Sequence, residues 1–265
     1  MSKNIKLSQV SKFHIAKLVY RSVLFLAVLV CYVVSLVTPI SLNHPVILLV
    51  IGITWGVYVA EMISRLFPSK IDSPGCQKQF ECNFIPTDVE EPVKKDRRSV
   101  LIVGAIWVAL NGAIGLLHFI FPNVISDGVL LVISMAYGIC DLICIMFFCP
   151  FQSWFMKNRC CSTCRIYNWD FAMMFTPFIF ILPTAIKSQN PWFIAYICSL
   201  LGLALIIFFR WELTHFIHTE RYYEETNACI SCEHCTEKLC HHKKQLKGKW
   251  RRWKARGYNV FAKKK

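Results

Sequence analysis

The sequence predicts an all-α integral membrane protein: a six-transmembrane-helix bundle with cysteine-rich cytosolic loops and a C-terminal tail. Three observations predict it. Apolar residues come in runs of roughly 20, long enough for a helix to cross a hydrocarbon core of about 30 Å. Lys and Arg fall almost entirely between and after alternate runs. Most of the 14 cysteines in the 265 residues sit on or beside those basic stretches. Hydrophobic residues make up 55% of the chain and charged residues 17%, a balance that argues against a soluble domain.

Residues 1–21 form a basic cytosolic N-terminal segment, with Lys3, Lys6, Lys12, Lys17 and Arg21 and no acid. Its apolar members suit a short interfacial helix. No A-x-A-like cleavage site follows the first apolar run, so that run reads as a retained anchor. Six spans are expected at about 22–40, 45–63, 100–121, 128–149, 171–186 and 191–209. Short polar turns join the first span to the second and the third to the fourth. Gly52 and Gly56 have the small-residue spacing that lets two helices approach closely. The fifth span carries Pro177 and Pro183, which remove backbone donors and predict a kinked or broken helix. The sixth continues in helical pattern past Arg210. A connection of about thirty residues after the second span, with Cys76 and Cys82, is long enough to need a function or to be disordered.

Orientation follows from the basic residues. The stretches 1–21, 64–99, 150–170 and 210–265 hold 5, 7, 3 and 14 of them, and only Lys187 falls on the opposite side. The positive-inside rule then places both termini in the cytosol, with the cell membrane as the location. It also places Cys76, Cys82, Cys160, Cys161, Cys164, Cys229, Cys232, Cys235 and Cys240 on the cytosolic face, and Cys140, Cys144 and Cys149 in the inner half of the fourth span or at its end. A reducing compartment argues against a disulfide framework and for metal-bound thiolates.

The densest motif is Cys229-x2-Cys232-x2-Cys235-x4-Cys240, within residues 210–240. Four thiolates in one loop suit a compact iron–sulfur cluster, while zinc more often takes two separated C-x2-C knuckles. Over about twelve residues the run resembles the bacterial ferredoxin pattern C-x2-C-x2-C-x3-C-P. Cys229, Cys232 and Cys235 match its first three positions. The fourth cysteine is one residue late, and His241 replaces the proline. The resemblance implies a 4Fe-4S-type cluster, and zinc stays open as the alternative. A second metal site is drawn from Cys76, Cys82, Cys161 and Cys164, with Cys160 as a spare.

Other polar residues carry weaker chemistry. Glu212, His215 and His218 recur every three residues on roughly one helix face, which suits a ligand set, proton handling beside a quinone, or simply a solvated helix stem. Asp141, inside an apolar run, needs a role or a cationic partner such as Arg21 or Arg65. Asn111 and His118 suit interhelical hydrogen bonds. Residues 241–265 form a basic tail in which Lys249, Trp250, Arg251, Arg252 and Trp253 suit a segment lying on anionic headgroups, better than nucleic acid. No phosphate loop, G-x-S-x-G or H-E-x-x-H is present. The function expected is electron transfer between a cytosolic donor and a membrane quinone or partner subunit. The alternatives are a zinc-stabilised scaffold or regulatory protein, and a small transporter.

Overall fold

The computed structural model describes residues 8–38, 44–86, 97–158 and 160–232. Eight α-helices are found there: α1 (Gln9–Val37), α2 (Pro45–Ser64), α3 (Pro74–Gln77), α4 (Arg97–Ile120), α5 (Asp127–Met146), α6 (Asp170–Phe175), α7 (Phe178–Lys187) and α8 (Pro191–Ile217). No strand occurs among the described residues, only an isolated antiparallel bridge between Phe84 and Asn227. Six helical segments are long and apolar enough to cross a membrane, with α6 and α7 together making the fifth. Large apolar side chains such as Leu26, Val30, Leu101, Val108, Leu205 and Phe209 lie exposed along the outside of these helices.

The segment before the first span does not form a separate interfacial helix. α1 is one helix of 29 residues, capped by the Ser8 hydroxyl, which accepts from the Ser11 amide at 3.0 Å. Ser11, His14, Lys17 and Arg21 are all buried, three or four residues apart on one face. That face is polar because it meets polar groups of the bundle rather than headgroups. α1 runs mainly along α5.

The predicted break in the fifth span is real. Pro177 has no amide proton, and Ile179 and Phe180 donate to the Thr176 and Pro177 carbonyls in tight three-residue turns. Thr176 compensates with its side chain. Its hydroxyl donates to the Ala172 carbonyl at 2.8 Å and accepts from Trp107 Nε1 at 3.1 Å. The broken span is the centre of the bundle. Phe171, Phe175, Phe178, Ile181 and Ala185 pack with Tyr58 and Met62 of α2, Leu130 and Met135 of α5, and Ile197 and Leu200 of α8.

Glycine sets the closest approaches. A Cβ on Gly138 would stand 2.7 Å from the Met174 sulfur, and one on Gly115 would stand 2.3 Å from the Phe180 ring. Gly52 and Gly56 differ from the sequence expectation: a Cβ at either would meet nothing within 4 Å. The close pairing they were expected to permit is made at Gly115 and Gly138 instead.

The long connection after α2 is a packed cap. Every residue from Asp72 to Phe80 is buried except Pro74. A π-helical turn (Phe151–Phe155), the stretch 160–169 and residues 218–232 complete the same end of the bundle.

Candidate functional site

Two features meet under this cap: a cluster of buried charges and a cavity lined with thiols. The charges come from α1, α2, α5, α6 and the cap. Arg21, only 2% exposed, donates to Glu61 through Nε at 3.2 Å and through Nη2, and to the Gly138 carbonyl at 2.9 Å. Tyr20 donates its hydroxyl to the same carboxylate. Lys17 lies 3.8 Å from Glu61 and 3.5 Å from Asp72. Asp141 has the partner expected of it, with Arg21 Nη1 at 3.9 Å. A second pair joins Arg65 to Asp170 at 2.7 Å. The Phe171 ring lies between the two guanidinium groups, 5.7 Å from Arg21 and 5.3 Å from Arg65. Charges this buried persist because each has a counter-charge beside it.

The cavity has a volume of about 130 Å³. α5 contributes Tyr137, Cys140, Asp141, Cys144 and Ile145, and the segment after it contributes Cys149, Phe151 and Gln152. Cys161, Cys164, Ile166, Tyr167 and Asp170 form another wall, closed by Trp107, Met173 and Met174. Five cysteines and two carboxylates therefore face one mainly apolar space. Gln152 links two of the thiols: its amide donates to Cys149 Sγ at 3.4 Å, and its Oε1 accepts from Cys161 Sγ at 3.3 Å.

The cap holds this arrangement through Lys78 and Asn227. Lys78 is 2% exposed, and its ammonium donates to the Ser162 carbonyl at 2.9 Å and to the Cys164 carbonyl at 2.6 Å, with the Trp211 ring 4.9 Å away. Burial pulls its pKa down to about 8. Asn227 Nδ2 donates to the Lys78 carbonyl at 2.8 Å and to the Arg221 carbonyl at 3.1 Å, and its Oδ1 accepts from the Cys229 amide at 3.0 Å. The start of the cysteine motif is thus tied to the loop that pins Cys164. Ser73 and Tyr167 bond through their hydroxyls at 2.6 Å, and Gly75 lies so close that a Cβ would stand 2.7 Å from the Tyr167 ring.

The predicted site residues divide as follows. Cys229 is half-buried and Cys232 exposed, while Cys235, Cys240, Lys249, Trp250, Arg251, Arg252 and Trp253 lie outside the described residues. Cys76 is buried against Ser73, with Sγ 3.4 Å from the hydroxyl, and burial pushes its thiol up to about 11. Cys82 is exposed, and Cys160 contacts the Ser162 hydroxyl at 2.6 Å. Burial also raises the Cys164 thiol. Among the described residues no three His, Cys, Asp or Glu side chains are gathered as metal ligands. Of the second four-thiol set, Cys161 and Cys164 line the cavity with the α5 thiols, while Cys76 lies against Ser73 and Cys82 is exposed.

Glu212, His215 and His218 have separate partners. Glu212 takes a two-point contact from Arg165 at 2.8 and 2.5 Å and accepts from Trp169 Nε1 at 2.6 Å. His215 stacks on Tyr222 with ring centroids 4.6 Å apart, and His218 lies 3.4 Å from Glu220. Asn111 accepts from the Tyr137 hydroxyl at 3.4 Å, and His118 bonds the Ile125 carbonyl at 2.6 Å, so both join neighbouring elements as expected.

Sequence reasoning placed Cys140, Cys144 and Cys149 correctly along the chain but did not join them to Cys161 and Cys164. It also put Lys17 in an interfacial segment and did not single out Glu61. The available signal was the spacing of Ser11, His14, Lys17 and Arg21 on one helical face, with two carboxylates inside the apolar runs to receive the cations. No family model matches the chain, and neither a curated protein nor a solved structure does.

Proposed function

We propose that the chain is a six-span integral protein of the cell membrane, with both termini cytosolic, that passes electrons between a cytosolic donor and a membrane quinone or partner subunit. One observation carries this reading: five cysteines from three separate stretches converge on one mainly apolar cavity, under a cap that also holds the start of the Cys229–Cys240 motif. Thiols and two carboxylates around an apolar space are the equipment of redox or soft-metal chemistry. The concentration of Lys and Arg on the same end supports the orientation, and the basic aromatic tail suits anionic headgroups.

Cys229 and Cys232, together with Cys235 and Cys240 beyond the described residues, would hold an iron–sulfur cluster. The donor set fits such a group: two thiols three residues apart, one half-buried and one exposed, on a turn fixed by Asn227. When bound, the cluster supplies one-electron storage. Such a cluster would lie beside the loop that lines the cavity, because Asn227 bonds to the Lys78 carbonyl and the Lys78 ammonium bonds to the Cys164 carbonyl.

Anaerobic purification followed by iron and acid-labile sulfide analysis tests this. The expected result is a brown protein with iron and sulfide in equal amounts, both lost in Cys229→Ser. A colourless protein with about one or two zinc ions per chain overturns it. That outcome belongs to a second reading, zinc as a fastener in a scaffold or regulatory protein, which the anchoring of Asn227 favours. A turn fixed by three side-chain hydrogen bonds to the cap suits a structural joint as well as an electron site.

A further inference from the structure

We propose that Cys144 and Cys149 are a redox-active dithiol that closes to a disulfide, and that the cavity beside them admits the ring of the quinone that oxidises it. The two cysteines are five residues apart, a spacing that an ordinary α-helix places on different faces. Here the end of α5 is widened. The Ile143 carbonyl accepts from both the Phe147 amide at 2.8 Å and the Phe148 amide at 3.2 Å. The second is a five-residue bond, which closes a larger turn than the α-helical one. It carries Cys149 back toward Cys144, and both residues line the same cavity. The Gln152 amide, 3.4 Å from Cys149 Sγ, stabilises negative charge on that sulfur.

The cavity is near the volume that takes one bare six-membered ring, so substituents on the quinone would reach out of it, and its lining is mainly apolar. An engineered apolar cavity of about 150 Å³ accepts benzene, and this one measures about 130 Å³. Trp107, Tyr137, Ile145, Met173 and Met174 supply apolar wall, and Cys140, which lines the cavity, is exposed, so the space reaches the outside of the bundle. Asp170 also lines it. Its Oδ2 is held by Arg65, while its Oδ1 is buried with no hydrogen-bond partner. A carboxylate oxygen in that state accepts the hydroxyl hydrogen of a quinol.

The step balances. Cys144 and Cys149 lose their two S–H protons and two electrons and form one S–S bond. The quinone gains both electrons and both protons and leaves as quinol. The inference rests on the electron-transfer reading for its oxidant only, since the dithiol stands on its own geometry.

The test uses the full chain in detergent, with iron content measured first. Protein reduced with a phosphine and freed of it is exposed to tetramethylbenzoquinone, whose substituted ring carbons resist thiol addition. It is then blocked with N-ethylmaleimide and digested with chymotrypsin without reduction. Cleavage at Phe147 or Phe148 separates the two cysteines. The expected product is a peptide pair linked through Cys144 and Cys149, with one quinol formed per chain. Cys144→Ser removes the link and the quinol, and Cys198→Ser leaves both. Wild-type protein in which both thiols remain open to maleimide overturns the dithiol whatever the variants do, as does a link between other cysteines. Iron without this link leaves the cluster standing and removes the dithiol; the link without iron does the reverse.

Discussion

The two ends of the bundle join their helices by different means. At the end of the short turns the contacts are packing and single polar bonds: α4 meets the start of α5 through His118 to the Ile125 carbonyl and Asp127, and α1 meets it through Tyr32 to Ser126 at 3.3 Å. Asn190 caps α8 by accepting from the amides of Trp192 and Phe193. At the capped end, Lys17, Arg21, Glu61, Arg65, Asp72 and Asp170 are all nearly buried, and a thiol-lined cavity lies beside them. A reversal between helices needs none of this. Burying charges in a low-dielectric region costs several kcal/mol per ion before pairing, so the capped end holds polar groups that packing alone does not explain. The difference separates the part of the chain that packs a bundle from the part that also holds buried charges and thiols.

The largest effect that bears on this contrast is expected at Arg21. Arg21→Met strands Glu61 and Asp141 without their main cation, at a cost of about 3–5 kcal/mol in thermal or denaturant unfolding. Arg21→Met combined with Glu61→Met removes both charges, and the double variant is expected to be more stable than the single one. Equal losses would mean that the guanidinium acts by shape and not by charge.

At the other end packing should dominate. Gly115→Val forces the Phe180 ring to move and is expected to cost about 1–3 kcal/mol by the same assay. Gly52→Val, with open space around it, should stay within about 0.5 kcal/mol. Gly75→Ala tests the cap in the same way. The Tyr167 ring must shift, and faster amide exchange across 72–80 and 160–167 is the expected readout.

The smallest effect is one of pH. Lys78 titrates near 8 in the folded cap against an ordinary 10.5, so between these values the unfolded chain holds a proton that the folded chain has released, and raising pH stabilises the cap. Cys76 works in the opposite direction. Its thiol titrates near 11 against an ordinary 9.0, so above pH 9 the unfolded chain loses a proton that the folded one keeps, and stability falls. A rise on the order of 1 kcal/mol from pH 8 to 9, followed by levelling, is expected in pH-dependent unfolding. Lys78→Met should abolish the rise.

Much of the bundle was legible because its signals are local. Apolar run length, the basic stretches and the prolines at 177 and 183 located six helices and the broken fifth. What failed was distance along the chain. Nothing in the local sequence tells Lys17 that Asp72 lies beside it, or Cys149 that Cys161 shares a glutamine with it. The connection after the second span was read from its length, as functional or disordered, with no means of seeing what it packs against. Residues 72–80 are polar and buried, since Lys78, Gln77 and Ser73 bond to other parts of the cap or to the chain just before it. Asp141 shows the intermediate case. A carboxylate in an apolar run demands a cation, and Arg21 was among those named, but geometry was needed to choose.

An anaerobic spectroelectrochemical titration of the full chain in anionic-lipid vesicles tests most directly whether the capped end is an electron-transfer site. The account predicts a visible band that bleaches reversibly with one electron per cluster and vanishes in Cys232→Ser. A chain that stays folded but shows no band and no reversible absorbance change at any potential would contradict it.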